Sequence, residues 1–225
     1  MEQVKNISKE HQSVEGNVTN FLLKYRLLFL GIIGALIAVC VIFGVYTVIS
    51  ERSRSSDIAA VQEIIDTLGD AEESAYDSAR AAAIEALSDY AAKNGIAGVR
   101  ANMVTADLYF AEGKWQESRD AWLAAAQKGE SDYTAPLCWY NAAVCCEELN
   151  DTEAAVSYFE RAADTVGFGL ASRALFNIGR IKDTAGDYES AVEAYQRLND
   201  TYPSDAWAAL AMSRIIALRA EGKVL

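Results

Sequence analysis

The sequence predicts an all-α protein, with a single N-terminal transmembrane helix followed by a solenoid of paired helices. Three observations predict it. Only two prolines interrupt 225 residues rich in alanine, and no stretch alternates apolar and polar residues as a half-buried strand would. Leu27 to Ser50 carries no charge over 24 residues. Beyond that run a helix, turn and helix plan recurs, with turn residues Gly113, Asn150 and Gly186 spaced 37 and 36 apart.

Charge and composition narrow the function classes. A net charge of −12, with no basic patch, argues against binding nucleic-acid phosphates. There is no glycine-rich phosphate loop, no nucleophile beside a base and no metal-ligand spacing, so neither an enzyme nor a cofactor is expected. His11, the single histidine, falls in the polar lead and reads as a solvated surface residue. Cys138, Cys145 and Cys146 share one predicted helix. Cys138 and Cys145 would stand about 10 Å apart by helix rise, beyond the roughly 7 Å that a disulfide spans between Cα atoms. They read as small core residues.

Residues 1–26 form a polar lead and residues 27–50 the transmembrane helix. As a helix the uncharged run reaches about 36 Å, against a hydrocarbon core of roughly 30 Å. Its length and the missing small-residue cleavage site favour an uncleaved anchor over a signal peptide. Cys40 follows Val39, which is too large for a lipoprotein cleavage site, so it reads as a membrane-buried cysteine. Four basic and three acidic residues precede the run, whereas 16 basic and 29 acidic residues follow it. Near the membrane Lys24 and Arg26 balance Arg52 and Arg54. The basic lead and acidic remainder favour a cytoplasmic N-terminus with the large domain outside, in the periplasm where the organism has two membranes.

Residues 51–98 read as a juxtamembrane linker and leading helix pair. Ile58, Val61, Ile65 and Leu68 recur at 3, 4 and 3 and make an apolar stripe that packs on the repeats. The acidic stretch Gly69 to Glu73 separates it from a helix near Asp77 to Lys93, with Ile84, Leu87 and Tyr90 on one side and Asn94-Gly95 at its end. Three helix pairs occupy residues 99–203. The clearest is Ala171 to Ser204. Leu175, Ile178, Gly179 and Lys182 share a stripe on its first helix, Gly186 ends that helix, and Asp187 caps the next. Ala191, Tyr195 and Leu198 then recur at 4 and 3 until Pro203. Gly179 and Ala191 are small enough to let the two helices cross closely. Residues 204–225 supply a final helix, with Trp207, Leu210, Ala211, Ile215 and Leu218 as the face that caps the third pair.

This pattern of an aromatic or leucine, Leu-Gly, Tyr, then Ala, Phe or Tyr, and Pro resembles the tetratricopeptide repeat, or TPR. Ala106, Tyr109, Gly113, Trp115, Ser118 and Trp122 hold the family's places in the first pair. Trp139, Ala142, Ala143, Cys146, Ala155 and Phe159 hold them in the second. The resemblance implies a concave face, lined by the first helix of each pair, that binds extended peptides or partner helices. Carried over residue by residue, it puts Arg100, Met103, Asp107 and Phe110 from the first pair on that face. Tyr140, Val144 and Glu147 come from the second pair, and Phe176, Arg180 and Asp183 from the third. Met103, Tyr140 and Phe176 stand where the basic set that clamps a peptide carboxylate would begin, so a chaperone-tail receptor is not expected. One alternative is that the protein's own leading helices occupy the groove.

The whole arrangement, with Leu87-Ser88-Asp89-Tyr90-Ala91-Ala92-Lys93-Asn94 as its local signature, resembles the YfgM-like family of ancillary subunits of the SecYEG translocon. That resemblance implies a non-enzymatic anchored module. Its partners would be translocon subunits, periplasmic chaperones and emerging exported polypeptides. The alternative is an envelope scaffold or adaptor for a division, secretion or outer-membrane complex.

Overall fold

The computed structural model describes residues 24–129 and 133–225. The polar lead with His11 lies outside them, apart from Lys24, Tyr25 and Arg26. Among the described residues there are nine α-helices and no strand. Two compact units divide between Ser53 and Arg54, within α1 (Arg26–Gly69). In the first unit Leu27, Leu28, Leu36, Ile42, Val48 and Ile49 of α1 are exposed, as is Cys40. The helix is long and apolar enough to cross a membrane, a property that a signal sequence shares.

The second unit is built from helix pairs. A 3-10 turn, Glu73–Ala75, links the 54–69 part of α1 to α2 (Tyr76–Ala91). Next come α3 (Ile96–Ala111) with α4 (Trp115–Lys128), then α5 (Thr134–Glu148) with α6 (Thr152–Ala163). The array closes with α7 (Ala171–Thr184), α8 (Tyr188–Thr201) and α9 (Ala206–Ala220). From α3 onward each helix packs on the next, and α9 also reaches α7.

The same turn joins the helices of each pair from α3 to α8. Gly113, Asn150 and Gly186 adopt φ of 70°, 58° and 81°, the left-handed region that glycine enters without a steric penalty and asparagine tolerates. Two backbone bonds close each turn. Gly113 N–H donates to Phe110 C=O at 3.0 Å, and Lys114 N–H to Tyr109 C=O at 2.9 Å. Asn150 and Asp151 repeat this on Glu147 and Cys146, and Gly186 and Asp187 repeat it on Asp183 and Lys182. The motif satisfies carbonyls that a helix end otherwise leaves open. Asp151 and Asp187 then accept from the backbone N–H of Ala154 and Ser190, capping the following helix.

Three apolar clusters run along the unit. Val61, Leu87 and Ala101 anchor the first, Trp122, Cys138 and Cys145 the second, and Phe159, Leu175, Tyr195 and Ile215 the third. Buried polar groups tie neighbours together. Asn102 Nδ2 donates to Ala91 C=O at 2.8 Å and Gly98 C=O at 2.7 Å, fixing the end of α2 against α3. Ser118 Oγ donates to Ala106 C=O at 2.8 Å.

At Gly179 the paired helix comes close through the ring of Tyr195, since a Cβ there would lie 2.4 Å from Tyr195 Cε1. One expectation changes. Leu210 does not join the capping face. It is 52% exposed, and Ala208, Ala211, Ile215 and Leu218 make the contact instead, because those four recur at 3, 4 and 3 and so share one side of α9. Replacing Gly179 with Leu is expected to overpack the Tyr195 site and cost about 1–3 kcal/mol. A urea melt of the full chain measures this, and an unchanged midpoint would contradict the packing.

Candidate protein-binding groove

The first helices of the pairs, α3, α5 and α7, supply the residues expected on the inner face, because positions three and four apart on each helix face the same way. The structure gathers four of them. Asp107, Phe110, Tyr140 and Val144 line an open pocket of about 300 Å³, together with Trp122, Asn141 and Arg173. The walls are aromatic and fixed. Phe110 meets Trp115 edge-on with centroids 4.6 Å apart, and the buried Tyr140 meets Phe159 edge-on at 5.2 Å. Tyr140 Oη accepts from Asn177 Nδ2 at 3.3 Å, and burial raises the phenol's pKa above its ordinary value.

Opposite charges stand in this pocket without carboxylate–guanidinium partners of their own. Asp107 is exposed, yet the protein around its carboxyl displaces enough water to raise its pKa. Among the described residues neither Asp107 nor Arg173 makes an ion pair. Arg173 Cζ lies 5.8 Å from the Tyr140 ring centroid and 5.5 Å from that of Trp207, a cation–π setting that leaves its N–H groups free to donate.

The other expected residues fall elsewhere. Met103 and Arg100 line a separate pocket of about 380 Å³ with Ile96, Val99, Tyr133 and Leu137. Arg100 Nη2 donates to Gln62 Oε1 on α1 at 2.6 Å, so the leading helix takes up part of its capacity. Glu147 and Arg180 pair with each other across α5 and α7. Asp183 is held by Arg214 on α9, with Nη2 2.9 Å from Oδ1, and the guanidinium keeps the carboxyl below its ordinary pKa. Phe176 is flanked by Tyr195 and Trp207, with centroids at 5.6 Å and 5.0 Å.

Asn141, Arg173 and Trp122 are additions to the expected set. Asn141 stands three residues before Val144, and Arg173 three before Phe176, so the same helical spacing that selected their neighbours would have found them. Trp122 belongs to α4, a second helix, and reaches the pocket from behind. The spacing of first helices alone carries no sign of it.

A tetratricopeptide repeat model matches residues 147–206. A TPR repeat-containing protein of Treponema pallidum (strain Nichols) is 31% identical over 171 residues, covering 76% of this chain and 72% of that relative. The chain belongs to the tetratricopeptide repeat proteins. The crystal structure of MamA matches with a TM-score of 0.50 at 16% identity, over 65% of this chain and 81% of that one, a likeness of fold alone. TPR repeats form a protein-interaction scaffold, and that is the function class of this TPR protein.

The three cysteines of its repeat region are buried free thiols. Burial pushes the Cys138 thiol up to about 12 and the Cys146 thiol up to about 11, and it raises Cys145 as well. Thiolate is the reactive form, so all three are poor nucleophiles at neutral pH. Iodoacetamide at pH 8 is expected to leave them unmodified in the folded chain and to label them after urea unfolding. Rapid labelling of Cys138 in the folded chain would contradict this packing.

Proposed function

We infer that this TPR protein is a membrane-anchored interaction module that holds segments of other polypeptides in the pocket between α3, α5 and α7. The observation that carries the reading is the combination of fixed aromatic walls with an unpaired carboxylate and an unpaired guanidinium. A polypeptide offers the complement of each. Its apolar side chains fill the space between Phe110, Tyr140 and Val144, its N–H groups or basic side chains donate to Asp107, and its carbonyls or acidic side chains accept from Arg173. Glu147 with Arg180, and Asp183 with Arg214, are already paired, and such charges contribute more to selectivity than to affinity.

The apolar run at 27–50 is the membrane anchor in this reading, with the N-terminus in the cytoplasm and the repeats outside the inner membrane. The basic lead and the acidic remainder support that orientation. The likeness to the YfgM-like family supports the choice of partners, namely translocon subunits, periplasmic chaperones and exported polypeptides emerging from the channel.

Photo-crosslinking from p-benzoylphenylalanine at Asn141, in full-length protein in membranes, tests this. Adducts with translocon subunits or exported polypeptides are expected, and the double substitution Asp107→Asn with Arg173→Ala should weaken capture about tenfold without moving the melting temperature. That factor corresponds to about 1.4 kcal/mol. Adducts confined to a division, secretion or outer-membrane complex would replace the translocon reading with the envelope-scaffold one. No adduct at Asn141, with capture unaffected by the double substitution, would overturn the pocket itself.

A further inference from the structure

The outward faces of α6 and α8 are charged, carrying Glu153, Glu160 and Arg161 on the first and Glu189, Glu193 and Arg197 on the second, all exposed. The outward face of α9 differs. Leu210, Met212 and Ile216 are 52%, 45% and 59% exposed, and Ala209, Ser213 and Ala220 between them are exposed too. None of the six is charged. A helix that is apolar on both sides is ordinarily covered on both.

The turn after α9 indicates what kind of surface covers it. Gly222 has φ of 70°. Its N–H donates to Arg219 C=O at 3.0 Å, and Lys223 N–H donates to Leu218 C=O at 3.0 Å. This is the bonding of the turns at Gly113, Asn150 and Gly186. It comes 36 residues after Gly186, and Glu221-Gly222-Lys223 repeats Glu112-Gly113-Lys114. The helix α9 is therefore shaped as the first helix of a further repeat. Ala174, which holds the place of Leu210 in α7, is fully buried there. In a stacked array, the surface that meets the open side of one repeat is the leading side of the next.

At the other end of the same unit such a leading side is open. A groove of about 400 Å³ runs between the 54–69 part of α1 and α2, lined by Ala60, Ile64, Thr67, Ala79, Ala82 and Ala86. The alanines on both sides leave room between the larger Ile64, Leu68 and Tyr90, where α9 presents Leu210, Met212 and Ile216. The charges are also opposite. Residues 57–92 hold nine acidic residues and one basic residue, and residues 206–225 hold three basic and one acidic. Glu63 beside the groove and Arg219 beside the α9 face have no ion-pair partner among the described residues.

We propose that the α9 face of one copy docks in the α1–α2 groove of a second copy, so that the chains stack end to end. The contact joins two different surfaces, so each added copy leaves a free end of each kind and the assembly extends beyond a dimer. Ion pairs at its edge make it weaken as salt rises.

Full-length protein in detergent, carrying Cys40→Ser, provides the test. One preparation adds Ile216→Cys and another adds Ala82→Cys, and a short bismaleimide is applied to each alone and to their mixture. Covalent dimers are expected in the mixture only. Dimers of the Ile216→Cys chain by itself would show a face-to-face contact and overturn the proposal, as would a mixture that stays monomeric. Independently, Ile216→Glu should weaken association at least tenfold by sedimentation while the melting temperature stays unchanged. Unaltered association in that variant would also overturn it.

Discussion

The left-handed turn at Gly113, Asn150 and Gly186 is the constraint on which the rest of the array depends. Each turn places one residue in a conformation that most side chains avoid and uses it to satisfy two carbonyls at a helix end. The following helix then starts at a fixed angle, capped by Asp151 or Asp187 in the second and third pairs. Because the helix entry is fixed, residues far apart in sequence arrive at the same depth. Ala155, Phe159 and Ala162 on α6 meet Tyr140, Ala143 and Cys146 on α5 within one cluster. Small residues at these crossings are then required by geometry, as Gly179 is under the Tyr195 ring.

A wall made mainly of first helices comes from the same turn, and so does its division. Where adjacent first helices bring opposite charges together, the wall closes on itself, as Glu147 does with Arg180 and Asp183 with Arg214. Where first helices set a carboxylate and a guanidinium near aromatic rings without pairing them, the wall stays open, as at Asp107 on α3 and Arg173 on α7. An unpaired charge next to low-dielectric walls has more to gain from a partner than a paired one does. This contrast is the ground on which we propose that one stretch of the wall engages other polypeptides.

Much of the fold was legible in the sequence because its signals are local. A glycine or asparagine followed by a lysine or aspartate, after an apolar stripe at helical spacing, specifies a helix end and the next helix start. The buried faces of α7 and α8 could be read from Leu175, Ile178, Ala191 and Tyr195 in the same way. The side on which α9 carries Leu210 was not legible, since that helix has apolar residues on more than one side and spacing alone does not choose between its faces. The pocket was partly legible. Its four gathered residues lie at inner-face positions of single helices, whereas the loss of Arg100 to Gln62 and of Asp183 to Arg214 depends on partners 38 and 31 residues away. Such pairings have no local sequence signal.

Hydrogen exchange read residue by residue tests the central claim most directly, through the backbone N–H groups of Lys114, Asp151 and Asp187. Each donates to the carbonyl five residues earlier, at 2.9, 2.8 and 2.9 Å. Strong and similar protection is expected at all three, well above that of exposed loop amides such as Gly167. Exchange at the unprotected rate at any of them would mean that the pair does not form its turn, and that the inner wall built on it is not held in place.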